Sequence, residues 1–165
     1  MASASPRGLL GAALLAISTL GASGCSGGGG GQGPQGPLPG NGNGPLANLE
    51  ASPFMNEVWF VEGAGQVPFI YYARENVRVN AQCRRPDGLL TCDAMRFMRN
   101  GMPVEIARRA LDGRTSAGVK VCQRMNQPLV SIRNAMGAED SMCRFPDGSL
   151  IATAALEQYM MRVMQ

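Results

Sequence analysis

The sequence predicts an α+β fold made of two small, pseudo-symmetric α-β-β-α-like units with antiparallel hairpins and short helices, linked by disulfides. Three observations carry this. The globular part repeats itself at an offset of 60 residues: Cys83-Arg84-Arg85-Pro86-Asp87-Gly88-Leu89-Leu90 falls on Cys143-Arg144-Phe145-Pro146-Asp147-Gly148-Ser149-Leu150, and Ala94 falls on Ala154. Upstream, Gln66 to Ile70 falls on Asn126 to Val130 without a gap. Short β-branched and aromatic runs alternate with apolar positions at helical spacing. Two copies are too few for a solenoid and point to a pair of units sharing one core.

The first unit spans about 55–98. Val58-Trp59-Phe60-Val61, Phe69-Ile70-Tyr71-Tyr72 and Val77-Arg78-Val79 read as strands, rich in β-branched and aromatic residues. Trp59, Phe60, Tyr71 and Tyr72 are its expected core. Pro86-Asp87-Gly88 is a turn, in which Pro presets φ and Gly takes positive φ. Asp93 to Arg99 is a short helix. A linking helix is expected over 103–112, with Pro103 in its first turn and Gly113 past its end. The second unit spans about 115–164. It opens on a helix over Thr115–Met125, capped by Thr115, with Val119, Cys122 and Met125 on one face. Pro128 ends that helix, and Leu129–Arg133 and Ser141–Phe145 are strands around a polar turn holding Gly137. Pro146-Asp147-Gly148 repeats the turn, and Ser149–Ile151 returns briefly. Thr153 then caps a last helix with Leu156, Tyr159, Met160 and Val163 on one face.

The chain has 165 residues, and 14 of its 22 glycines precede residue 49. Residues 1–24 read as a signal peptide: Arg7 precedes Leu9 to Leu20, an apolar run too short to span a bilayer comfortably. Small residues Gly21 to Gly24 lead into Cys25, and this resembles the lipobox of bacterial lipoproteins, with Ala22 where that family prefers Leu. The resemblance implies an acylated Cys25, and Ser26 after it implies sorting to the outer membrane. The rest of 25–53 reads as a flexible linker of Gly, Pro, Gln and Asn, with little to bury against its ordering entropy. Such a leash reaches roughly 25–30 Å. The globular domain is expected over 54–165.

The run Cys122 … Cys143-Arg144-Phe145-Pro146-Asp147-Gly148-Ser149, followed by a helix, resembles a small cysteine-rich bacterial domain labelled hemolysin, domain-of-unknown-function family 333. Cys83-Arg84-Arg85-Pro86-Asp87-Gly88-Leu89-Leu90-Thr91-Cys92-Asp93, then Met95, Phe97 and Gly101, is similar to that family's later segment. The resemblance implies an exported or lipid-anchored domain. It brings no mechanism, and neither copy holds the family's full cysteine set.

Apart from Cys25, the cysteines are Cys83, Cys92, Cys122 and Cys143, an even count that predicts two disulfides in an exported domain. Cys122–Cys143 would pin a helix to the strand beneath it, leaving Cys83–Cys92. The alternative pairs Cys83 with Cys143 and Cys92 with Cys122. In a hairpin with its tip at Pro86-Asp87-Gly88, Arg85 faces Leu89 and Cys83 faces Thr91, so Cys92 must turn into the following helix, or a bulge must intervene, before it can meet Cys83. No CxxC spacing exists, so no metal site is expected.

The absence of His removes His-based triads and a His proton shuttle. A catalytic Cys has no base to activate it, and Ser149 is not in a G-x-S-x-G elbow. Asp87 and Asp147 could be paired carboxylates, but turn formation accounts for both. No catalytic residue and no cofactor are therefore assigned. Net charge is +3, or +2 without Arg7, which is too weak for a nucleic-acid claim. Arginine dominates the bases, 14 against Lys120 alone, and Arg84, Arg85 and Arg144 flank the two turns as a candidate binding edge for phosphates, headgroups or acidic glycans.

The expected function is a non-enzymatic, lipid-anchored protein of the bacterial cell envelope that binds or scaffolds something outside the cytoplasm. Its expected contacts are the membrane through the acyl anchor and an envelope protein or peptidoglycan. The alternatives are a protease inhibitor presenting a disulfide-tied loop at Arg84-Arg85 and a membrane-active, hemolysin-like protein.

Overall fold

The computed structural model describes residues 46–165. In chain order the elements are β1 (Met55–Val61), β2 (Gly65–Tyr72), β3 (Val77–Asn80), α1 (Asp93–Asn100), β4 (Val104–Ala107), α2 (Ala117–Arg124), β5 (Leu129–Arg133), β6 (Glu139–Arg144), β7 (Leu150–Ala152), α3 (Thr153–Met160) and β8 (Met161–Met164). Helices and antiparallel strands coexist, as the α+β reading requires. Their arrangement was not foreseen. Six strands close into an antiparallel barrel in the order β1-β2-β3-β7-β6-β5, and β4 and β8 form a separate parallel pair. The barrel closes between β1 and β5 through two residue pairs, Phe60 with Arg133 and Val61 with Ile132.

Strand alternation sends successive side chains to opposite faces, and each face has its own core. Trp59, Val61, Phe69, Ile132, Met142, Leu150 and Ala152 fill the barrel. Ile70, Tyr72, Val77, Val79, Cys143 and Ile151 point outward and pack under the helices, against Ala94, Met95, Val121, Ala155 and Leu156. The helices thus roof β2, β3, β7 and β6. α2 and α3 approach so closely that a Cβ on Gly118 would lie 1.8 Å from the Thr153 carbonyl oxygen, so only glycine fits.

The two P-D-G turns share their wiring. Arg85 N–H donates to Leu89 O at 2.9 Å and Phe145 N–H to Ser149 O at 2.8 Å. Gly88 N–H donates to Arg85 O and Gly148 N–H to Phe145 O. Gly88 and Gly148 both sit at positive φ, 87° and 80°. Arg84 bridges Leu90 as Arg144 pairs with Leu150. α1 and α3 start 60 residues apart, at Asp93 and Thr153.

Several expectations need correction. The helix expected over 103–112 is instead strand β4 followed by a 3-10 turn at Arg108–Ala110. The last helix stops at Met160, and Met161–Met164 becomes β8, paired in parallel with β4 from Val104–Met161 to Ala107–Met164. Val104 and Ile106 favour a strand, but their partner lies over fifty residues further along the chain, beyond any local pattern. The cap of α2 is Ser116, whose Oγ accepts from Val119 N–H, rather than Thr115. Thr153 is the first helical residue of α3 rather than its cap. Phe60 lies outside the core at 49% exposure, because its position in β1 faces away from the barrel. The packed chain begins before residue 54: Leu46 and Leu49 are buried in the outer core, and Glu50 accepts from Arg99 Nη2 at 2.8 Å and Leu90 N–H at 3.2 Å. Burial pushes the Glu50 carboxyl up, but the Arg99 and Leu90 donors outweigh it and leave it below its ordinary range. The expected signal peptide, Cys25 and most of the expected linker lie outside the described residues.

Candidate functional site

The four domain cysteines pair as Cys83–Cys92 and Cys122–Cys143. The first closes the hairpin that carries the first turn. Thr91 N–H donates to Cys83 O, so Cys83 does face Thr91, and Cys92 reaches its partner by becoming the N-cap of α1. The second ties α2 to β6. The alternative pairing, Cys83 with Cys143 and Cys92 with Cys122, is not formed.

The first tip, Arg85 to Leu89, is open to solvent. Arg85, Pro86, Asp87 and Leu89 are exposed. Asp87 does turn work, accepting from Leu89 N–H at 3.1 Å. Arg84 is not free to bind: its guanidinium lies 4.5 Å above the Phe54 ring and donates to Tyr72 Oη at 2.9 Å. Arg85 extends into solvent with a 3.6 Å contact to Asp87. Both main-chain groups of Arg85 are used inside the hairpin. A protease would need them free and extended to pair with, so the geometry gives the inhibitor reading no support.

The second tip, Arg144 to Leu150, is docked. Asp147 Oδ2 accepts from Asp93 N–H at 2.7 Å, and Ser149 Oγ accepts from Ala94 N–H at 3.1 Å. These are the first two N–H groups of α1, whose own N-cap is the disulfide-bonded Cys92, without a capping oxygen. Asp147 Oδ1 in turn accepts from Ser149 N–H and Oγ. Burial pushes the Asp147 carboxyl up, yet the Asp93 and Ser149 hydrogen bonds outweigh it and hold it below its ordinary value of 3.8. Ser149 is fully buried, so its hydroxyl serves the helix cap and not a reaction. Arg144 is half-buried, with its N–H on Pro128 O. Of the three arginines in the expected edge, only Arg85 stands open.

The sequence reading missed the end of the barrel around Arg78. Its side chain lies 4.7 Å from the Trp59 ring centroid and 4.4 Å from that of Tyr71. Its Nε donates to Glu57 at 2.7 Å, and its Nη1 pairs with Asp140. Trp59 Nε1 also donates to Glu57, at 2.8 Å. Burial works against the Arg78 charge, and the two carboxylates outweigh it, raising its pKa further. The cage is filled by its own arginine and ties β1, β3 and β6 together across the barrel interior. One signal was available: Arg78 interrupts Val77 and Val79, the two outward-facing strand residues, at an inward position.

The barrel wall opposite the helices is bare. Val58 and Phe60 of β1 point outward at 58% and 49% exposure. Val58 pairs with exposed Pro68, and Arg133 of β5 reaches over Phe60 at 5.9 Å. Among the described residues no group of three His, Cys, Asp or Glu side chains is placed to hold a metal ion, and no helix is long and apolar enough to cross a membrane. No protein-family model, curated protein or solved structure matches the chain.

Proposed function

We propose that this protein is a non-enzymatic, lipid-anchored component of the bacterial cell envelope, sorted to the outer membrane, whose folded domain binds or scaffolds a partner outside the cytoplasm. The lipobox-like run into Cys25, the Gly-rich linker and two disulfides suited to an oxidising compartment support the address. The observation that carries the binding role is the bare β1 wall. Val58 and Phe60 stay in water on one side of the barrel, while the other side is roofed by helices. Contiguous exposed apolar surface on a rigid wall is what a protein partner covers. We also infer that the two units are copies of one ancestral unit, related by pseudo-symmetry; the shared wiring of the two tips supports this. The likeness to the hemolysin-labelled family rests on the residues quoted for it and adds no activity.

The test is cross-linking in intact envelopes with three baits: the native protein, Cys25→Ala, and Val58→Lys with Phe60→Lys. Both exposed side chains tolerate lysine on the solvent face, and circular dichroism checks that the double variant folds. The expected result is one protein recovered with the native bait and lost with the double variant and with Cys25→Ala. Identical recovery with the double variant removes the wall from the proposal. Identical recovery with Cys25→Ala removes the anchor.

A further inference from the structure

The described residues carry 14 bases and 12 acids, but the bases are not spread evenly. The segment 108–124 holds five bases (Arg108, Arg109, Arg114, Lys120, Arg124) and one acid, Asp112. The remaining described residues hold nine bases and eleven acids. The positive charge of the domain is therefore confined to one stretch, and the rest is slightly negative.

The fold gathers that stretch onto one surface. Lys120 of α2 donates to Ala110 O and, at 2.6 Å, to Asp112, which fastens the loop after β4 to the helix. Arg124 lies four residues on from Lys120 and shares its helix face. Arg108, Arg109, Arg114 and Arg124 are all exposed, and none takes part in an ion pair among the described residues. The nearby acids are occupied: Asp112 by Lys120, and Glu157 by the Gly118 N–H it accepts. Glu105 stands opposite Arg162 in the β4–β8 register. That register also sets Met164 opposite Ala107, beside Arg108. Val163 and Met164 are exposed at 46% and 39%. Four exposed arginines outside any ion pair among the described residues, with exposed Met164 beside Arg108, match a layer of phosphates over acyl chains, because the planar fork takes phosphate oxygens in pairs.

We infer that the 108–124 surface docks on the phosphate headgroups of an anionic lipid surface. This site is separate from the β1 wall and is defined without the acyl anchor. The test uses the chain from residue 25 onward with Cys25→Ala, which retains every described residue and carries no acyl group. Co-sedimentation is measured with vesicles of phosphatidylcholine alone and with vesicles containing phosphatidylglycerol at three parts in ten. Retention is expected on the anionic vesicles only, and it should fall as salt is raised. Arg108→Gln with Arg109→Gln should weaken it roughly 25-fold, at about five-fold per base. Arg74→Gln, an exposed arginine outside the surface, should leave retention unchanged. Equal retention on both vesicles, no retention on either, or an Arg74→Gln loss matching that of the double variant overturns the inference. Full displacement by soluble polyphosphate at matched phosphate concentration overturns the lipid surface as the occupant.

Discussion

The two P-D-G tips have the same local hydrogen bonds and opposite fates. At the first, Asp87 satisfies one N–H of its own turn, and Leu89 stands half in water. At the second, Asp147 and Ser149 reach past their own turn and cap a helix from the other half of the chain. Ser149 stands where Leu89 stands, 60 residues apart. A serine can enter the interior because it donates to Asp147 and accepts from Ala94, leaving no polar group unsatisfied. Leucine has no such oxygen to offer a helix N-terminus. A turn motif thus fixes a local shape, and the residue after it decides whether the turn becomes part of the core.

The largest test of this contrast lies in the staples behind each tip. Cys122→Ala with Cys143→Ala frees α2 from the hairpin of the docked tip and should cost about 3–5 kcal/mol. Cys83→Ala with Cys92→Ala opens a loop of sequence separation 9 rather than 21 and should cost about 2–3 kcal/mol. Urea midpoints of the two variants measure this, and a greater loss at the exposed tip would break the comparison.

Next come the turn residues themselves. Ser149→Ala strands Ala94 N–H in a buried place and should cost about 1–3 kcal/mol. Asp147→Ala removes the cap on Asp93 N–H and should cost about 1 kcal/mol. Asp87→Ala, on the exposed tip, should stay within about 0.5 kcal/mol. Thermal melts of the three rank them; an Asp87 effect equal to that of Asp147 would show that the turn, and not the cap, carries the energy.

The smallest effect is in acid. The Asp147 carboxyl is held below its ordinary value of 3.8, so its contribution is present in full above that value. It is lost as pH falls through the lower folded value, where the folded protein too takes up the proton. The stability gap between the native protein and Asp147→Asn should therefore narrow as pH falls from about 5 to about 2. A gap independent of pH would mean that the carboxylate charge plays no part in the cap.

Much of this fold was legible along the chain. β1, β2, β3, β5 and β6 fall where β-branched and aromatic runs put them, and α1 starts at Asp93 as expected. The favoured cysteine pairing formed, with Cys92 turning into α1 to meet Cys83. The larger errors share one cause. Val104–Ala107 and Met161–Met164 are short enough to satisfy a helical pattern alone, and each becomes a strand only because the other lies beside it. Leu46 and Leu49 look like the end of a linker until a core is there to receive them. The candidate arginine edge failed as a unit for a similar reason: the sequence places Arg84 beside Arg85, but Phe54 and Tyr72, from other strands or their flanks, capture Arg84.

By itself the sequence determined the elements whose signals are local: strand alternation, the positive-φ glycines of both turns, the repeat, and the cysteines available to pair. The basic stretch from Arg108 to Arg124 could be counted along the chain as well, but the sequence reading passed over it for Arg84, Arg85 and Arg144. Only the tertiary structure decided that the strands close into a barrel, that one tip caps a helix while its twin stays in water, and that Arg78 is caged by two rings and two carboxylates. Each of these joins groups tens of residues apart. Their energy comes from burial and hydrogen bonding that exist only after the chain has come together, and no local pattern records it.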